Sequence, residues 1–408
     1  MKIPFSLPLL DSLVEKELLS TLYETGWITS GPKTKEFEDE ITNLCQSNYT
    51  VCVNSWTSGA LLLFRWLGFG PEDEVIVPAY TYAATALSVI NSGVKCVYVD
   101  VNDDFTIDVD MIASKINSNT KAIMPVDLGG FPADYKKLLE LLDSKKVKSI
   151  FNPKTDFQKS IGRPLIIADA AHSIGALIDG LPASNFADFS IFSFHSVKNI
   201  TTGEGGAITF KLFGKEQDLE IYRQIKILSL NGQTKTAFEK NQPGSWRYDI
   251  IDCGLKVNLP DINAAIGLSQ IRRYKNELLV ERENIFNYYN SYFKDKDWAI
   301  LPPIEIEGRK SSFHIYLLRI KGFDEYQRDA VITNLGHNGV GVNVHYIPLP
   351  MLTYFKKIGL KIDDFKNSYK LYMNEISLPV YNGLGLDSLK LICEKLSEEV
   401  EKSIINIK

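Results

Sequence analysis

The chain has 408 residues, and its 45% hydrophobic and 23% charged residues are ordinary for a folded globular protein, which argues against a disordered or fibrous chain. Because single hydrophobic cores stop growing at roughly 250–300 residues, this length predicts two domains. The formal net charge of -5 gives no electrostatic reason to bind nucleic acid or a membrane, and we expect neither as a partner.

Short apolar runs alternate with helical patterns from about residue 51 to residue 210. The runs that predict strands are, in order, TVCVN, EVIVP, KCVYVD, KAIMPVD, PLIIAD, FSIFSF and GAITF. This alternation predicts βαβ units and a mostly parallel sheet with helices on both faces. Ligands of such sheets bind beyond the carboxyl ends of the strands, so the residues that follow each run are the candidates for a functional site.

Beyond residue 210 the pattern changes to long helical stretches. One stretch begins at Pro260 and Asp261, which suit a helix start. A strand-like SFHIYLLRI, a helix around residues 324–338, the loop GVNVHYIPLP and an amphipathic helix over residues 387–402 follow. We therefore predict an α/β chain with a large domain over residues 1–255 and a smaller domain over residues 256–408.

The most informative segment is SFHSVKNITTGEGG, in which Lys198 lies between two strand patterns beside a glycine-rich turn. A lysine amine attacks a carbonyl only when it is neutral, which requires burial or cationic neighbours that lower its pKa. Gly203, Gly205 and Gly206 would let the backbone approach a flat ligand closely. Taken alone, a loop lysine is more often a solvated charge, so a catalytic role depends on its neighbours.

Asp169 ends the run PLIIAD, at a position where α/β sheets present ligand-binding side chains. A carboxylate there can pair with a pyridinium nitrogen and keep a cofactor ring electron-poor. The alternative is a strand-end aspartate that caps the next helix. Three residues later, His172 could contact a phenolic oxygen or lie near the ring, or it could be a structural histidine.

Hydroxyl-rich segments follow the first two runs. Ser55, Trp56 and Thr57 stand between TVCVN and a helical pattern, and amides and hydroxyl groups at a helix N-terminus can hold phosphate. An ordinary helix cap is the alternative. The segment is neither a GxGxxG motif nor a P-loop, which disfavours a dinucleotide or ATP site. After EVIVP, Tyr82 could lie flat on a heteroaromatic ring, although core packing would also explain it.

These segments, in this order and spacing, resemble the DegT/StrS family of sugar aminotransferases, which are pyridoxal-phosphate (PLP) enzymes of fold type I. The resemblance covers nearly the whole chain and also rests on GWITSGP, GPEDEVIVP, NLPDINAAIG and GVNVHYIP. It implies a large PLP-binding domain with a mostly parallel seven-stranded sheet, a smaller C-terminal α+β domain, and pyridoxal 5'-phosphate as the cofactor.

The resemblance also implies roles for individual residues. Lys198 would be the catalytic residue that carries the cofactor, Asp169 would pair with the pyridinium nitrogen, and His172 would contact the cofactor oxygen. Lys256, at a position where many members have asparagine, would reach the phosphate in the neighbouring subunit, which implies a homodimer with shared sites. The other implied contacts are Ser55, Trp56, Thr57 and Ser193 to the phosphate, Tyr82 to the ring, and Thr29, His314, His345 and Tyr346 to the substrate.

The implied reaction moves an amino group from an amino acid, expected to be glutamate, to a nucleotide-linked keto sugar in amino-sugar biosynthesis. A 4-keto-6-deoxy sugar linked to UDP or dTDP fits best, and a 3-keto sugar stays open. Asp127 and Asn231 stand where the family often has histidine, which bears on the choice of sugar. The alternatives are another PLP reaction, such as the dehydration catalysed by members with histidine in place of the lysine, and a non-catalytic regulatory relative.

The remaining sequence features predict a cytoplasmic protein without a metal site. The five cysteines are scattered, with no close pair of the kind that ligates zinc or performs redox chemistry. No stretch approaches ~18 consecutive apolar residues. The start, MKIPFSLPLLDSLVEKELL, lacks the cationic region, apolar run and cleavage site of a secretion signal.

Overall fold

The computed structural model describes residues 2–405, and strands form at each of the apolar runs that predict them. Their Val-, Ile- and Phe-rich sequences suit a buried pleated sheet. In chain order the strands are β1 (Tyr49–Val53), β2 (Glu74–Pro78), β3 (Lys95–Val99), β4 (Thr120–Ile123), β5 (Leu165–Asp169), β6 (Leu177–Ile178), β7 (Leu181–Pro182), β8 (Phe189–Ser193), β9 (Gly206–Phe210), β10 (Ala299–Ile300), β11 (Glu305–Ile306), β12 (Arg309–Lys310), β13 (Tyr316–Ile320) and β14 (Glu375–Leu378).

Seven strands form the large sheet, in the order β1-β9-β8-β5-β4-β2-β3. Strand β9 runs antiparallel to its neighbours β1 and β8, and the other pairs in this sheet are parallel. The prediction of an α/β fold with a mostly parallel seven-stranded sheet is therefore confirmed. Because β1, β2, β3, β4, β5 and β8 point the same way, the residues that follow them meet at one edge.

Helices alternate with these strands and then dominate the second half of the chain. Several begin with side-chain caps. At the start of α13, for example, the Asp324 side chain accepts a hydrogen bond from the main-chain amide of Gln327, and the Gln327 side chain accepts one from the main-chain amide of Asp324. The helices are α1 (Ser12–Ser20), α2 (Pro32–Cys45), α3 (Trp56–Leu67), α4 (Ala83–Asn91), α5 (Val109–Lys115), α6 (Tyr135–Asp143), α7 (Lys145–Ile150), α8 (Asp156–Ile161), α9 (Lys215–Leu228), α10 (Ala237–Lys240), α11 (Asp261–Arg273), α12 (Leu279–Phe293), α13 (Glu325–His337), α14 (Thr353–Lys357), α15 (Lys366–Asn374) and α16 (Leu386–Ile405).

Both faces of the large sheet are buried under helices because successive side chains of a strand point to opposite faces. On β1, Val51 and Val53 pack into a core with α3 and α9, whereas Cys52 packs into a second core with α2 and α11. The same alternation separates Ile166 from Ile167 on β5. The sheet is thus fixed from both sides, and its carboxyl edge is a rigid place to build a site.

A third core lies around the small sheet β10-β13-β14, between α12, α13 and α16. Its members come from residues 285–400, and Ile3 joins them through a bridge to Val340. The predicted boundary between residues 255 and 256 stays a prediction. Helix α11, just beyond that boundary, packs against α2 and contributes Ala264 to a core of the large sheet.

The strand-like SFHIYLLRI is only partly a strand. Strand β13 covers Tyr316–Ile320, whereas the Ser312 and His314 amides donate to the carbonyl oxygens of Gly130 and Gly129, at 2.9 and 3.1 Å. Both glycines have positive φ, and a Cβ on Gly130 would lie 2.4 Å from Ser312 Oγ. The segment leaves the small sheet because it is hydrogen-bonded to this loop of the large sheet.

No helix within residues 2–405 is both long enough and apolar enough to cross a membrane.

Candidate active site

A cavity of about 460 Å³ opens at the carboxyl edge of the large sheet, where the ends of β1, β2, β5 and β8 converge. A smaller extension of about 40 Å³ continues behind Lys198 and His172 towards the small sheet. The polar residues that line the main cavity are Ser55, Thr57, Thr81, Tyr82, Asp169, His172, Ser193, His195, Lys198, Glu204 and Tyr346.

Lys198 reaches this cavity from the loop that joins β8 to β9. The loop is closed at its base, where the Thr202 amide donates to the Phe194 carbonyl oxygen at 2.9 Å. Next to the lysine, Asn199 is buried and donates through Nδ2 to Tyr274 Oη (3.0 Å) and the Ser312 carbonyl oxygen (2.8 Å). Burial lowers the pKa of Lys198 to about 8, and the Asp169 charge partly offsets this effect. A substantial neutral fraction of the amine therefore exists near neutral pH.

Asp169 is buried at the end of β5. Thr85 Oγ1 donates to its Oδ2 at 2.7 Å, and the Ala171 amide donates to its Oδ1 at 3.2 Å. Burial raises the pKa of Asp169 to about 6, although both hydrogen bonds and the Lys198 charge lower it. The carboxylate is thus fixed in orientation and would gain from a cation placed opposite it.

His172 is held in one tautomer by its two ring contacts. The Gly129 amide donates to Nδ1 at 3.2 Å, so the neutral ring carries its proton on Nε2, which lies 3.2 Å from Tyr346 Oη. Burial and the Lys198 charge keep the pKa of His172 well below its ordinary value. Its ring centroid is 4.4 Å from that of His314, which is also neutral because burial lowers its pKa. Both rings act as uncharged hydrogen-bonding groups.

The N-terminus of α3 forms another side of the cavity. Ser55 caps the helix, and its Oγ accepts a hydrogen bond from the Ser58 amide at 3.1 Å. Gly206 of β9 passes directly beneath, because a Cβ on it would lie 2.7 Å from both Ser55 C and Trp56 N. Helix N-termini bind phosphate through the amides of their first turn, and Trp56 and Thr57 of this turn line the cavity.

The other candidate contacts lie at the rim and around the small extension. Ser193 ends β8 and lines the cavity, and the Tyr82 side chain is 62% exposed at the rim, with its ring centroid 5.7 Å from that of Tyr346. His314 and His345 line the extension behind Lys198. The structure thus brings these four residues and Tyr346 to two adjoining cavities that share Lys198, His172 and Tyr346.

Two predicted site residues lie outside the cavity of their own chain. Lys256 is exposed and hydrogen-bonds Asn258 through its amine. Thr29 is engaged through its carbonyl oxygen, which accepts from the Asp261 amide at 3.3 Å.

Sequence reasoning missed several groups that hold the site together. Thr85, which orients Asp169, stands four residues after Thr81 at the start of α4, and this helical spacing after a strand was an available signal. Phe5, Glu375 and Ser377 surround His345, and no local pattern marked them because they meet only through the fold.

The geometry suits a flat, anionic heteroaromatic ligand such as pyridoxal phosphate. The α3 N-terminus offers an anion site, Asp169 offers a fixed carboxylate, and Lys198 offers a partly neutral amine in the same cavity. His172 and Tyr82 contribute flat side chains to the lining of the same cavity. The residues present therefore fit pyridoxal 5'-phosphate, the cofactor that the family resemblance implies.

Comparison with known proteins gives the family directly. The model of the DegT/DnrJ/EryC1/StrS aminotransferase family matches residues 12–153 and 156–397. Among solved structures, Spr1654 of Streptococcus pneumoniae, assigned as a sugar aminotransferase, matches in its PMP form with a TM-score of 0.93 and 40% identity, covering 98% of this chain and 100% of its own.

Two curated relatives match over nearly their full lengths. The spore coat polysaccharide biosynthesis protein SpsC of Bacillus subtilis is 31% identical over 98% of this chain and 97% of its own. The UDP-4-amino-4,6-dideoxy-N-acetyl-beta-L-altrosamine transaminase of Campylobacter jejuni is 30% identical over 92% of each chain.

Proposed function

Because the chain belongs to the DegT/DnrJ/EryC1/StrS aminotransferase family and is accordingly a sugar aminotransferase, we propose that it transfers an amino group from glutamate to the keto carbon of a nucleotide-linked sugar. The observation that carries this proposal is the presence of Lys198 and Asp169 in one cavity, beside the N-terminus of α3. A binding protein would need neither a partly neutral lysine nor a buried carboxylate.

Pyridoxal 5'-phosphate, when bound, supplies a carbonyl carbon that exchanges amines and a ring that withdraws electrons from the reacting carbon. Ser55, Trp56 and Thr57 would hold its phosphate at the α3 N-terminus, with Ser193 beside them. Tyr82 and His172 would lie against the ring and its oxygen, and Asp169 would face the ring nitrogen.

Lys198 has two tasks in this proposal, and both depend on its lowered pKa. As a neutral amine it would hold the cofactor covalently, and once displaced by the amino donor it would act as general base and acid. In each half of the reaction its Nζ would take a proton from one of the two carbons attached to the transferred nitrogen and deliver it to the other, so the amine is neutral again at the end of each half. A pKa of about 8 suits both directions of this transfer near neutral pH.

Asp169 would keep the ring nitrogen of the bound cofactor protonated. The hydrogen bonds from Thr85 and the Ala171 amide orient its carboxylate, and a positive charge opposite would restore the pKa of Asp169 towards or below its ordinary range. The burial that is unfavourable for the isolated carboxylate thereby strengthens its pairing with the ring nitrogen.

The proposed acceptor is a UDP- or dTDP-linked 4-keto-6-deoxy sugar. Support comes from the Campylobacter relative, whose name specifies a UDP-linked 4-amino-4,6-dideoxy sugar, and from SpsC, whose name specifies polysaccharide biosynthesis. Neutral, hydrogen-bonding side chains at His314, His345 and Tyr346 suit the hydroxyl groups of a sugar. Lys198 disfavours the dehydratase alternative, whose members have histidine at this position.

The proposed assembly is a homodimer in which Lys256 reaches the phosphate of the neighbouring subunit. Large apolar side chains are exposed in the preceding segment, among them Trp246 (69% exposed), Tyr248, Ile250 and Ile251, and such a patch favours a protein contact. Lys256 is exposed next to this segment and outside the cavity of its own chain. A cation there would suit a phosphate supplied by the partner.

The test is an absorption spectrum of the purified protein loaded with pyridoxal phosphate, before and after glutamate is added without any keto sugar. The wild type should show the visible band of lysine-bound cofactor and lose it on adding glutamate, while 2-oxoglutarate forms stoichiometrically. Lys198→Ala should lack the band and slow the conversion by at least ~10³-fold. Lys211→Ala, at an exposed lysine just after β9, is the matched control and should behave as the wild type.

A wild type that forms the band but produces no 2-oxoglutarate from glutamate would contradict the proposed donor, and other amino acids would then be screened. A wild type that never forms the band would contradict the catalytic proposal as a whole and favour the regulatory alternative.

A further inference from the structure

A buried hydrogen-bonded chain runs from Glu375 through Ser377 to His345, behind the small extension of the cavity. Ser377 Oγ lies 2.6 Å from Glu375 Oε1 and 2.8 Å from His345 Nδ1. Glu375 Oε2 accepts a hydrogen bond from the His345 amide at 3.0 Å. Glu375 and Ser377 are both 0% exposed, so these contacts have no competition from water.

The backbone brings this chain of groups to the cavity. Asn343 and Ser377 exchange two main-chain hydrogen bonds, at 3.2 and 2.8 Å, which ties the loop that carries His345 to β14. Near the N-terminus, Phe5 stacks on the His345 ring at 5.3 Å between centroids. Because Nδ1 is engaged by Ser377 and one ring face by Phe5, Nε2 is the ring nitrogen left for the cavity.

The protons shared by Glu375, Ser377 and His345 can be arranged in two ways. If the Glu375 carboxyl is ionised, the single Ser377 proton bonds to it, His345 Nδ1 must donate to Ser377, and Nε2 is an acceptor. If the carboxyl is protonated, it donates to Ser377, Ser377 donates to Nδ1, and the ring carries its proton on Nε2. The protonation state of Glu375, a side chain that does not line the cavity, thus decides whether His345 offers a donor or an acceptor there.

Burial favours the protonated carboxyl of Glu375, whereas the hydrogen bonds from Ser377 and the His345 amide and the charge of Arg328 favour the ionised form. The groups that face it are Arg328 from α13, His345 and Tyr346 from the loop, and Tyr80 after β2. Arg328 pairs with Asp329 at 2.6 Å and donates to the carbonyl oxygens of Tyr372 and Glu375, not to the carboxyl group. Burial raises the pKa of Glu375 to about 8, whereas burial and the Lys198 charge lower that of His345 to about 3.

We propose that Glu375 and Ser377 are positioning residues that make His345 a hydrogen-bond donor, through Nε2, to an oxygen of the sugar nucleotide. This inference rests on the proposed function for its substrate, but the arrangement of protons does not. Neither residue touches the reacting atoms; both act through His345. The donor would reverse to an acceptor when Glu375 loses its proton.

The first experiment reads the His345 tautomer by ¹⁵N NMR of histidine-labelled protein, without any substrate. The chain has five histidines, and His345→Gln identifies the signals of this ring. At pH 7 the wild type should show the proton on Nε2, and above about pH 8 the pattern should move towards the Nδ1–H form. Glu375→Gln, whose amide can still donate to Ser377, should keep the Nε2–H form at both pH values.

The second experiment measures KM for a UDP-linked 4-keto-6-deoxy-N-acetylhexosamine alongside the glutamate half-reaction. Ser377→Ala should raise KM for the sugar about tenfold, as expected when a buried donor loses its partner, and change the half-reaction less than twofold. Glu375→Ala should act like Ser377→Ala, and Glu375→Gln should restore KM at pH 7. Ser397→Ala, at a buried serine of α16 whose hydroxyl has no partner within residues 2–405, is the control for a buried serine.

An Nδ1–H form of the wild type at pH 7, or a pH dependence of the tautomer that is the same in Glu375→Gln as in the wild type, would overturn the proposal. So would equal losses in the sugar KM and the glutamate half-reaction, because they would indicate general damage to the site. A wild type that rejects the sugar but shows the expected tautomers would instead contradict the proposed substrate and leave the proton arrangement standing.

Discussion

The cavity has two parts that are built differently. Its floor, made of Lys198, Asp169 and the first turn of α3, stands on the ends of parallel strands of the large sheet. Its wall, made of His314, His345 and Tyr346, comes from irregular segments near the small sheet. The floor is fixed by a sheet buried on both faces, whereas the wall is fixed by side-chain contacts between distant segments. Sequence changes can therefore alter the wall and leave the chemistry of the floor intact.

The two parts also differ in charge. The floor contains two groups that titrate in the physiological range, because burial raises the pKa of Asp169 to about 6 and lowers that of Lys198 to about 8. In the wall, burial lowers the pKa of His314 and His345 so far that both stay neutral. The floor is suited to moving protons and the wall to recognising a polar substrate. Substitutions in the floor should therefore slow the glutamate half-reaction, and substitutions in the wall should raise KM for the sugar nucleotide.

Asp169→Asn should have the largest effect on the floor short of removing Lys198 itself. It removes the floor's negative charge while keeping the size of the side chain, so the ring nitrogen loses its partner and the glutamate half-reaction should slow by about 10²-fold or more. The measurement is single-turnover absorbance with glutamate. A half-reaction at the wild-type rate would show that the floor does not depend on this carboxylate.

The same variant should be more stable than the wild type when no cofactor is bound. The folded-state pKa of Asp169, about 6, is above the unfolded value, so ionisation opposes folding as pH rises through about 4 to 6 and the cost is constant above that range. The difference between the folded and unfolded pKa values, about two, corresponds to at most about 3 kcal/mol in the free energy of unfolding. The melting temperature of cofactor-free Asp169→Asn should be higher than that of the wild type at pH 7.5 and equal to it at pH 4. A higher melting temperature at pH 4 as well would show that ionisation of Asp169 is not the cause.

Lys256 tests whether the floor is completed by a second copy of the chain. Lys256→Ala should weaken cofactor binding at least about tenfold, because a charge-assisted hydrogen bond to phosphate is lost. The variant is then mixed with Lys198→Ala, and the mixture is unfolded, refolded and assayed at a cofactor concentration too low to load Lys256→Ala alone. Activity should return to about a quarter of the wild type, since half of the dimers gain one intact site.

The mixing experiment has an internal control. Lys198→Ala mixed with Asp169→Asn should restore little, because both defects lie in the same chain's floor and each site takes both residues from one copy. If the Lys256→Ala mixture stays inactive, Lys256 serves its own chain or no phosphate at all, and the division between floor and neighbouring subunit would have to be redrawn.

Gly206→Ala tests the floor through packing alone. The added Cβ would lie 2.7 Å from Ser55 C and Trp56 N and 2.8 Å from the Phe192 carbonyl oxygen, all of which are backbone atoms that cannot move aside cheaply. We expect a loss of about 1–3 kcal/mol in the free energy of unfolding and weaker binding of the cofactor phosphate. Gly70→Ala, where a Cβ would meet nothing within 4 Å, is the matched control. Equal denaturation midpoints for the two variants would contradict the close approach.

The floor could be predicted from the sequence because each of its parts lies in one short segment. Strand patterns with period two or continuous apolar runs located β5 and β8, and the polar residues at their ends followed from the rule for parallel sheets. Asp169 and Lys198 are 29 positions apart in the chain, yet adjacent strands bring them together. Only the pairing of neighbouring strands had to be assumed.

The wall could be predicted only through a family resemblance. His345 depends on Phe5, Glu375 and Ser377, and no periodicity links residues so far apart along the chain. The segment around His314 also reads as a strand, although its amides bond to Gly129 and Gly130, because hydrophobic alternation does not reveal which partner a backbone will find. Long-range contacts, not local preference, decide these positions.

Phe5→Ala should have the smallest effect and should be confined to the wall. Removing the ring that stacks on His345 loses a contact worth about 0.5–1.5 kcal/mol, so KM for the sugar nucleotide should rise a few-fold while the glutamate half-reaction keeps its rate. Phe5→Leu would keep an apolar side chain over His345 without the stacked ring, so its KM for the sugar nucleotide should lie between those of the wild type and Phe5→Ala. If Phe5→Ala slows the half-reaction as much as it raises KM, the floor and wall are mechanically coupled, because the N-terminal segment would then control Lys198 as well as His345.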